Sequence, residues 1–383
     1  MPAFSLKNGD FIKPQIPNQD DYGYKDRNRV NRSRMTLEFE ALFEQIEALV
    51  MCHSPSGVEG EVDEWLLKAF QKLGVECWKD DAENVIAKIP GKDTGRAIAI
   101  TGHKDEIGGI VKAIEPDGRL QVRKLGGAYP WIYGEGVVDL LGDTRCISGI
   151  LSFGSRHVSH ESPQKVFQND VAVRWEDAWV ETKCSPAELA EAGVRPGTRV
   201  VVGKHRKRPF RLKDYIASYT LDNKASVAIL LALAERLKQN QPATDIYLVA
   251  SAKEEVGAIG ALHFTLNAKL SALIALEICP LSSEYPIEDG EVPVLLSQDN
   301  YGLYDERLNG AIAQSALRAN LPIQFAAISG FGSDASIAMK MGHVARGACL
   351  GFPTQNTHGY EIAHLGAIAN CIKILEQFCN AGF

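Results

Sequence analysis

What this chain lacks narrows what it can be. It has no run of about 18 apolar residues of the kind a membrane-spanning helix needs, and its first residues carry no signal-peptide apolar segment. No membrane is expected as a partner, and the expected compartment is the cytoplasm. Eight cysteines, at positions 52, 77, 146, 184, 279, 349, 371 and 379, never fall at Cys-x-x-Cys spacing. Neither a thiolate zinc knot nor a disulfide framework is therefore indicated, and the cysteines read as small core hydrophobes. A positive charge excess is also missing. The balance of 41 basic and 48 acidic residues leaves a net charge of −7, which argues against nucleic acid as a partner. The one dense basic run, Lys204-His205-Arg206-Lys207-Arg208, has no interleaved aromatics and reads as a solvated loop.

What is present is a globular composition spread over 383 residues, longer than the roughly 100–200 residues of one domain. Residues 1–34 are polar, with little apolar periodicity, and read as a flexible extension. From Met35, the spacing of Leu37, Leu42, Phe43, Ile46 and Leu49 predicts an amphipathic helix, and Val62, Trp65, Leu66, Ala69, Phe70 and Leu73 predict a second. Short strands are expected over 75–78, 85–89 and 97–101. Between about 110 and 212, short strands alternate with turn signals such as Pro116-Asp117-Gly118, Gly126-Gly127 and Arg195-Pro196-Gly197, with one short helix over 186–192. Alternation of strand and helix then resumes, with strands at 245–250, 272–276, 292–297, 324–327 and 344–350, helices at 225–237 and 306–318, and a closing helix over 361–378. The expected fold is α/β: residues 35–109 and 213–383 form one domain with a mixed central sheet flanked by helices. A small, mostly β domain at 110–212 interrupts it.

Polar residues end the apolar runs. Asp222 sits at a strand-to-helix junction, Glu254-Glu255 follow the strand at 245–250, and Glu277 closes the run at 272–276. His103 and Asp105 follow the strand at 97–101, two residues apart and so on one side of it, where a carboxylate can fix an imidazole. His358 lies in the loop beyond 344–350. Open α/β sheets bind ligands outside the carboxyl ends of their strands, so these residues describe a crevice. A pair of divalent ions about 3.5 to 4 Å apart needs one bridging carboxylate and further carboxylate or imidazole ligands on either side. The set offers that, and the adjacent Glu254 and Glu255 leave one carboxylate over for proton transfer. Carboxylate and histidine donors without thiolates suit Zn²⁺, with Co²⁺ or Mn²⁺ as substitutes. Taken singly, each residue has a plainer reading as solvated surface, structural histidine or turn. Five such signals at strand ends favour a site.

These segments resemble the di-metal aminopeptidases of the TET type, which include glutamyl, leucyl and deblocking aminopeptidases. The resemblance runs in order from about residue 50 to the C-terminus. It rests on Pro55-Ser56-Gly57 with Glu59-Gly60-Glu61, Gly102-His103-Lys104-Asp105-Glu106, Leu221-Asp222-Asn223-Lys224, Glu254-Glu255-Val256-Gly257, Glu277, Gly332-Ser333-Asp334-Ala335 and Thr357-His358-Gly359-Tyr360-Glu361. It implies that Asp222 bridges two metals, that His103 and Glu277 complete one, and that Glu255 and His358 complete the other. It also implies Glu254 as general base and later proton donor, Asp105 as support for His103, and a cis peptide bond after Asp222. The inserted domain resembles a PDZ-like dimerisation domain, which implies a dimer building block, hollow dodecamers and short peptides as substrates. Two positions depart from the pattern: Glu277 stands where Asp is common, and Asn223 where a second Asp is frequent. The leading 34 residues have no counterpart. The expected function is a metal-dependent aminopeptidase. The alternatives are a glycoside hydrolase of the endoglucanase type, which needs only a carboxyl pair, an N-acyl amino acid deacylase using the same metals, and a catalytically impaired assembly subunit.

Overall fold

The structure is a computed structural model and describes residues 37–383. The expected extension over 1–34 and the start of the first expected helix lie outside the described residues. Helix α1, over 37–50, buries Phe39, Leu42, Ile46 and Leu49, the three-and-four spacing of one face. Helix α2 (Gly60–Leu73) does the same with Val62, Leu66 and Phe70. Strands β1 (Glu76–Lys79), β2 (Val85–Ile89) and β3 (Asp93–His103) then open the large sheet.

Six antiparallel strands follow: β4 (Gly108–Ile114), β5 (Leu120–Leu125), β6 (Gly136–Leu141), β7 (Cys146–Ser152), β8 (Trp179–Glu181) and β9 (Arg199–Val202). They close a barrel in the order β4-β5-β8-β7-β6-β9, shut by β9 on β4. Alternation of side chains fills it: in β7, Ile147 and Leu151 point inward while Cys146, Ser148 and Ile150 are exposed. Two short helices punctuate the barrel sequence, α3 (Pro130–Tyr133) and α4 (Pro186–Glu191), the latter started by a reciprocal Ser185–Glu188 cap.

The chain returns to the large sheet through α5 (Lys204–Lys207), β10 (Phe210–Leu212) and β11 (Tyr215–Ser218). The remaining elements alternate: α6 (Leu221–Gln239), β12 (Thr244–Ser251), α7 (Ile259–Asn267), β13 (Ala272–Pro280), β14 (Val294–Asp299), β15 (Gly302–Leu303), α8 (Glu306–Arg318), β16 (Gln324–Ala327), α9 (Asp334–Lys340), β17 (Gly347–Gln355), β18 (Glu361–His364) and α10 (Leu365–Ala381). The sheet is mixed, in the order β1-β2-β12-β3-β13-β17-β18-β11-β10, with β14 branching from β17 and carrying β15 and β16. Its centre, β12-β3-β13-β17, is parallel.

Those central strands are buried on both faces, which is why they read as almost unbroken apolar runs. Their residues divide by parity between two cores. Ile98, Ile100, Leu248 and Ile274 join the core packed by α1, α2, α6, α8 and α10. Ala99, Val249, Leu273 and Ala275 join the core beneath α7 and α9. Helix α6 is apolar around most of its circumference and lies inside the protein, as such a helix must.

Two sequence expectations need correction. The basic run at 204–208 is not a solvated loop. Lys204–Lys207 form a helical turn that aims Lys207 inward, where its ammonium bonds both carboxylate oxygens of Glu106 at 3.0 and 2.8 Å. A charge looks solvated in a sequence when its partner lies a hundred residues away. The closing helix begins at Leu365, because 361–364 instead pair with β11 and β17 as a strand, and the preceding strand runs on to Gln355.

Candidate metal centre

The carboxyl ends of the parallel strands deliver the expected side chains to one cleft. His103 is the last residue of β3, paired in register with Ser251 at the end of β12, and Glu254 and Glu255 follow in the next turn. Glu277 sits within β13 opposite Gly351 of β17, and His358 follows β17. Asp222 enters from the first turn of α6, beyond β11, and its peptide bond to Asn223 is cis. Thr220, Lys253, Ala258 and His358 all hold left-handed backbone conformations around this cleft.

All five expected donors converge. Donor atoms of His103, Asp222 and Glu277 lie within 4.8 Å of one another, as do those of Asp222, Glu255 and His358. Asp222 belongs to both groups. Its Oδ1 is 3.0 Å from His103 Nε2, and its Oδ2 is 3.4 Å from His358 Nε2, which is in turn 3.6 Å from Glu255 Oε1. The other ring nitrogen of His103, Nδ1, is 3.2 Å from the backbone oxygen of Asp105 and 3.4 Å from its carboxylate, the arrangement that fixes a ligating imidazole. Glu254 stands just outside both groups, with Oε2 3.9 Å from His103 Nε2.

Asp105 organises the neighbourhood. Its carboxylate accepts the backbone N–H groups of Glu254 and Glu255 at 2.9 and 3.2 Å and the hydroxyl of Ser56 at 2.6 Å. Glu361 does the same across the cleft, accepting the backbone N–H of Asp222 on one oxygen and that of His358 on the other, both at 2.9 Å. Buried Asp334 accepts the Ser251 hydroxyl at 2.6 Å. Sequence reasoning gave no role to Ser56, Asp334 or Glu361. The signal for Glu361 was its position three residues after His358, where it was read as the first residue of a helix.

The electrostatics follow from crowding. Burial, and then neighbouring carboxylates, push Glu254, Glu255 and Glu277 well above the usual carboxylate range. Burial and the Asp222 carboxylate raise Glu361 to about 8. Burial opposes a charge on His103, yet its hydrogen bonds to Asp105 and Asp222 outweigh it and raise the imidazole well above its ordinary value. Asp222 and Asp105 are lowered because that contact with His103 outweighs burial. Left to themselves, these side chains can neutralise the cluster only by holding protons. Divalent cations neutralise the same charge without them, and the oxygen and imidazole donors fit such ions.

The profile of the M42 glutamyl aminopeptidase family matches residues 83–374. The chain belongs to the M42 glutamyl aminopeptidase family. It is therefore a peptidase hydrolase, from a family of metallopeptidases. Among relatives of this M42 peptidase is SgcX of Escherichia coli (strain K12), an aminopeptidase by provisional name, which is 26% identical over 353 residues, covering 88% of this chain and 93% of the relative. Solved structures that share its fold include two TET peptidases. A TET aminopeptidase from a marine sediment Thaumarchaeota archaeon superposes with a TM-score of 0.80 at 22% identity, covering 89% of this chain and 96% of the other. The TET1 peptidase of Pyrococcus horikoshii, described as assembling into a tetrahedron or a large octahedral shell, gives 0.79 at 22% identity, with coverage of 88% and 99%.

Proposed function

We propose that this M42 peptidase is a metal-dependent aminopeptidase that removes N-terminal residues from short peptides, using two divalent cations, Zn²⁺ or else Co²⁺ or Mn²⁺. One observation carries the reading: the two carboxylate oxygens of Asp222 face two different imidazoles, His103 on one side and His358 on the other. A carboxylate placed between two imidazoles in this way suits a bridge between two ions. His103 and Glu277 would hold one ion with Asp222, and Glu255 and His358 the other. When bound, the ions supply Lewis acidity at the scissile carbonyl.

The chain's own residues do the rest. Glu254 lines the cleft without belonging to either donor group, so its carboxylate is free to take a proton from the attacking water and hand it to the leaving amine. Asp105 acts through others: it orients His103 from behind and ties down the backbone of Glu254 and Glu255. The deacylase alternative would use the same donors and differ only in substrate. A glycoside hydrolase needs a carboxyl pair alone and leaves both imidazoles without a task. The impaired-subunit reading has little support, since every donor position carries a ligating side chain.

The barrel strands and their flanks, over 110–212, are proposed as the dimerisation domain of a homo-oligomer built from dimers, with dodecamers as one outcome, working in the cytoplasm. Among the described residues no helix is long and apolar enough to cross a membrane. The test is turnover of amino-acid p-nitroanilides with Zn²⁺, Co²⁺ or Mn²⁺ before and after exhaustive chelation. Loss of activity on chelation and its return with metal support the reading. Glycosidase activity that survives chelation would overturn it.

A further inference from the structure

Beside the candidate ligands, the cleft encloses about 230 Å³ and is walled by side chains that take no part in the chemistry above. Ala258 lies on the turn after Glu255, and Tyr301, Phe331 and Ile337 face it from the segments after β14, before α9 and within α9. Towards Tyr133, Tyr219 and Thr220, on the far side of Asp222 and His358, the free space is only about 10 Å³. A terminal residue whose carbonyl lies over the ligands therefore has more room for its side chain against Tyr301, Phe331 and Ile337 than towards Tyr133 and Tyr219.

This wall is built firmly. The backbone N–H of Tyr301 donates to Asp299 Oδ1 at 2.8 Å, while the other oxygen of Asp299 accepts the Tyr304 hydroxyl at 2.5 Å. That hydroxyl also meets Ser333 Oγ at 2.8 Å, so one buried polar chain fixes both Tyr301 and the turn that carries Phe331. The Tyr301 ring lies against Gly332, and any Cβ there would collide with it. Among the described residues lining the cleft, His103 and His358 are the only basic ones, and every acidic one is a candidate ligand or Glu254. Lys340, whose Nζ is 5.0 Å from the Tyr301 ring centroid, is exposed and outside the lining.

Resting on the aminopeptidase reading, we infer that Tyr301, Phe331 and Ile337 form the subsite for the substrate's first side chain and select uncharged apolar or aromatic residues over Glu, Asp or Lys. A substrate carboxylate entering this wall would lose its water and find no cation within the lining, the nearest being exposed Lys340 outside it; an ammonium would find no carboxylate beyond the candidate ligands and Glu254. An apolar side chain loses nothing and covers the exposed edges of the two aromatic rings.

The test is kcat/KM for Leu, Met, Phe, Glu and Lys p-nitroanilides with the metal-loaded enzyme, wild type and three variants. The wild type should favour Leu, Met or Phe over Glu and Lys by at least about 10-fold. Ile337→Arg should raise the Glu-to-Leu ratio by at least about 10-fold, and Tyr301→Ala, at a partly exposed position that keeps the variant foldable, should raise KM for Leu and Phe more than for Ala p-nitroanilide. Lys340→Ala should leave the ratios unchanged. A wild-type preference for Glu or Lys overturns the subsite while leaving the aminopeptidase intact, most directly if Lys340→Ala abolishes a Glu preference. No turnover of any substrate by protein that holds its metal overturns the aminopeptidase reading, and the subsite with it.

Discussion

Asn223 donates its side-chain amide to Glu277 Oε2 at 3.1 Å and to the backbone oxygen of Leu276 at 2.8 Å. These two residues are the positions at which the chain departs from the pattern it resembles, and they are in contact. A carboxylate at 223 would face the carboxylate of Glu277 in a buried, crowded site; the amide there gives it a hydrogen bond. The pair thus reads as one coordinated change rather than two lesions, which agrees with a functional site.

Asn223→Asp should accordingly destabilise the metal-free protein. Removing a donor from a buried acceptor costs about 1–3 kcal/mol, and the added carboxylate increases repulsion until one of the two holds a proton. Thermal denaturation in chelator should show a lower Tm than wild type, with a larger recovery on adding Zn²⁺. An unchanged Tm in chelator would mean that the contact contributes nothing.

Glu361 holds the backbone of Asp222 with one oxygen and that of His358 with the other. Loss of such outer partners typically weakens metal binding by about 10–100-fold. Calorimetric titration of Glu361→Ala with Zn²⁺ should show a loss of that size with the circular dichroism spectrum preserved. Wild-type affinity would remove Glu361 from the account.

Glu254→Gln should lower kcat by about 10²–10⁴-fold, the usual weight of a general base, while binding metal as the wild type does. Full activity would take Glu254 out of the mechanism.

The ion pair between Glu106, just after β3, and Lys207, at the end of α5, is fully buried. Burial alone would raise the Glu106 carboxyl, but Lys207, Lys224 and His53 hold it at about 2, below the ordinary 4.5. Because the folded value is the lower one, its contribution is complete above about pH 4.5 and is lost as pH falls towards 2, amounting to on the order of 3 kcal/mol. Lys207→Met should destabilise the protein by about 3–5 kcal/mol at neutral pH, since it strands a buried charge, and should flatten the dependence of Tm on pH in that acidic window. A wild-type Tm in Lys207→Met would show that the pair is dispensable.

The convergence of the candidate donors could be anticipated from the sequence because each donor ends or interrupts an apolar run that had to be a buried strand or helix. His103, Asp222, Glu254, Glu255, Glu277 and His358 are legible for that local reason. Ser56, Asp334 and Lys207 were not, because their meaning lies in partners 49, 83 and 101 residues away, respectively, and Glu361 was not, because its bond to His358 three residues away gains meaning only with its second bond, to Asp222 139 residues away. The barrel was legible as a run of short strands and turns, but its closure was not. That depends on β9 pairing with β4 across most of the barrel sequence, and no local pattern encodes a pairing over that distance.

The central claim is that Asp222 joins two cations, and metal stoichiometry tests it most directly. After equilibrium dialysis against Zn²⁺ and elemental analysis, wild type and Glu254→Gln should each hold two ions per chain, and Asp222→Ala close to none. Fewer than one ion in the wild type, or two retained by Asp222→Ala, would contradict it.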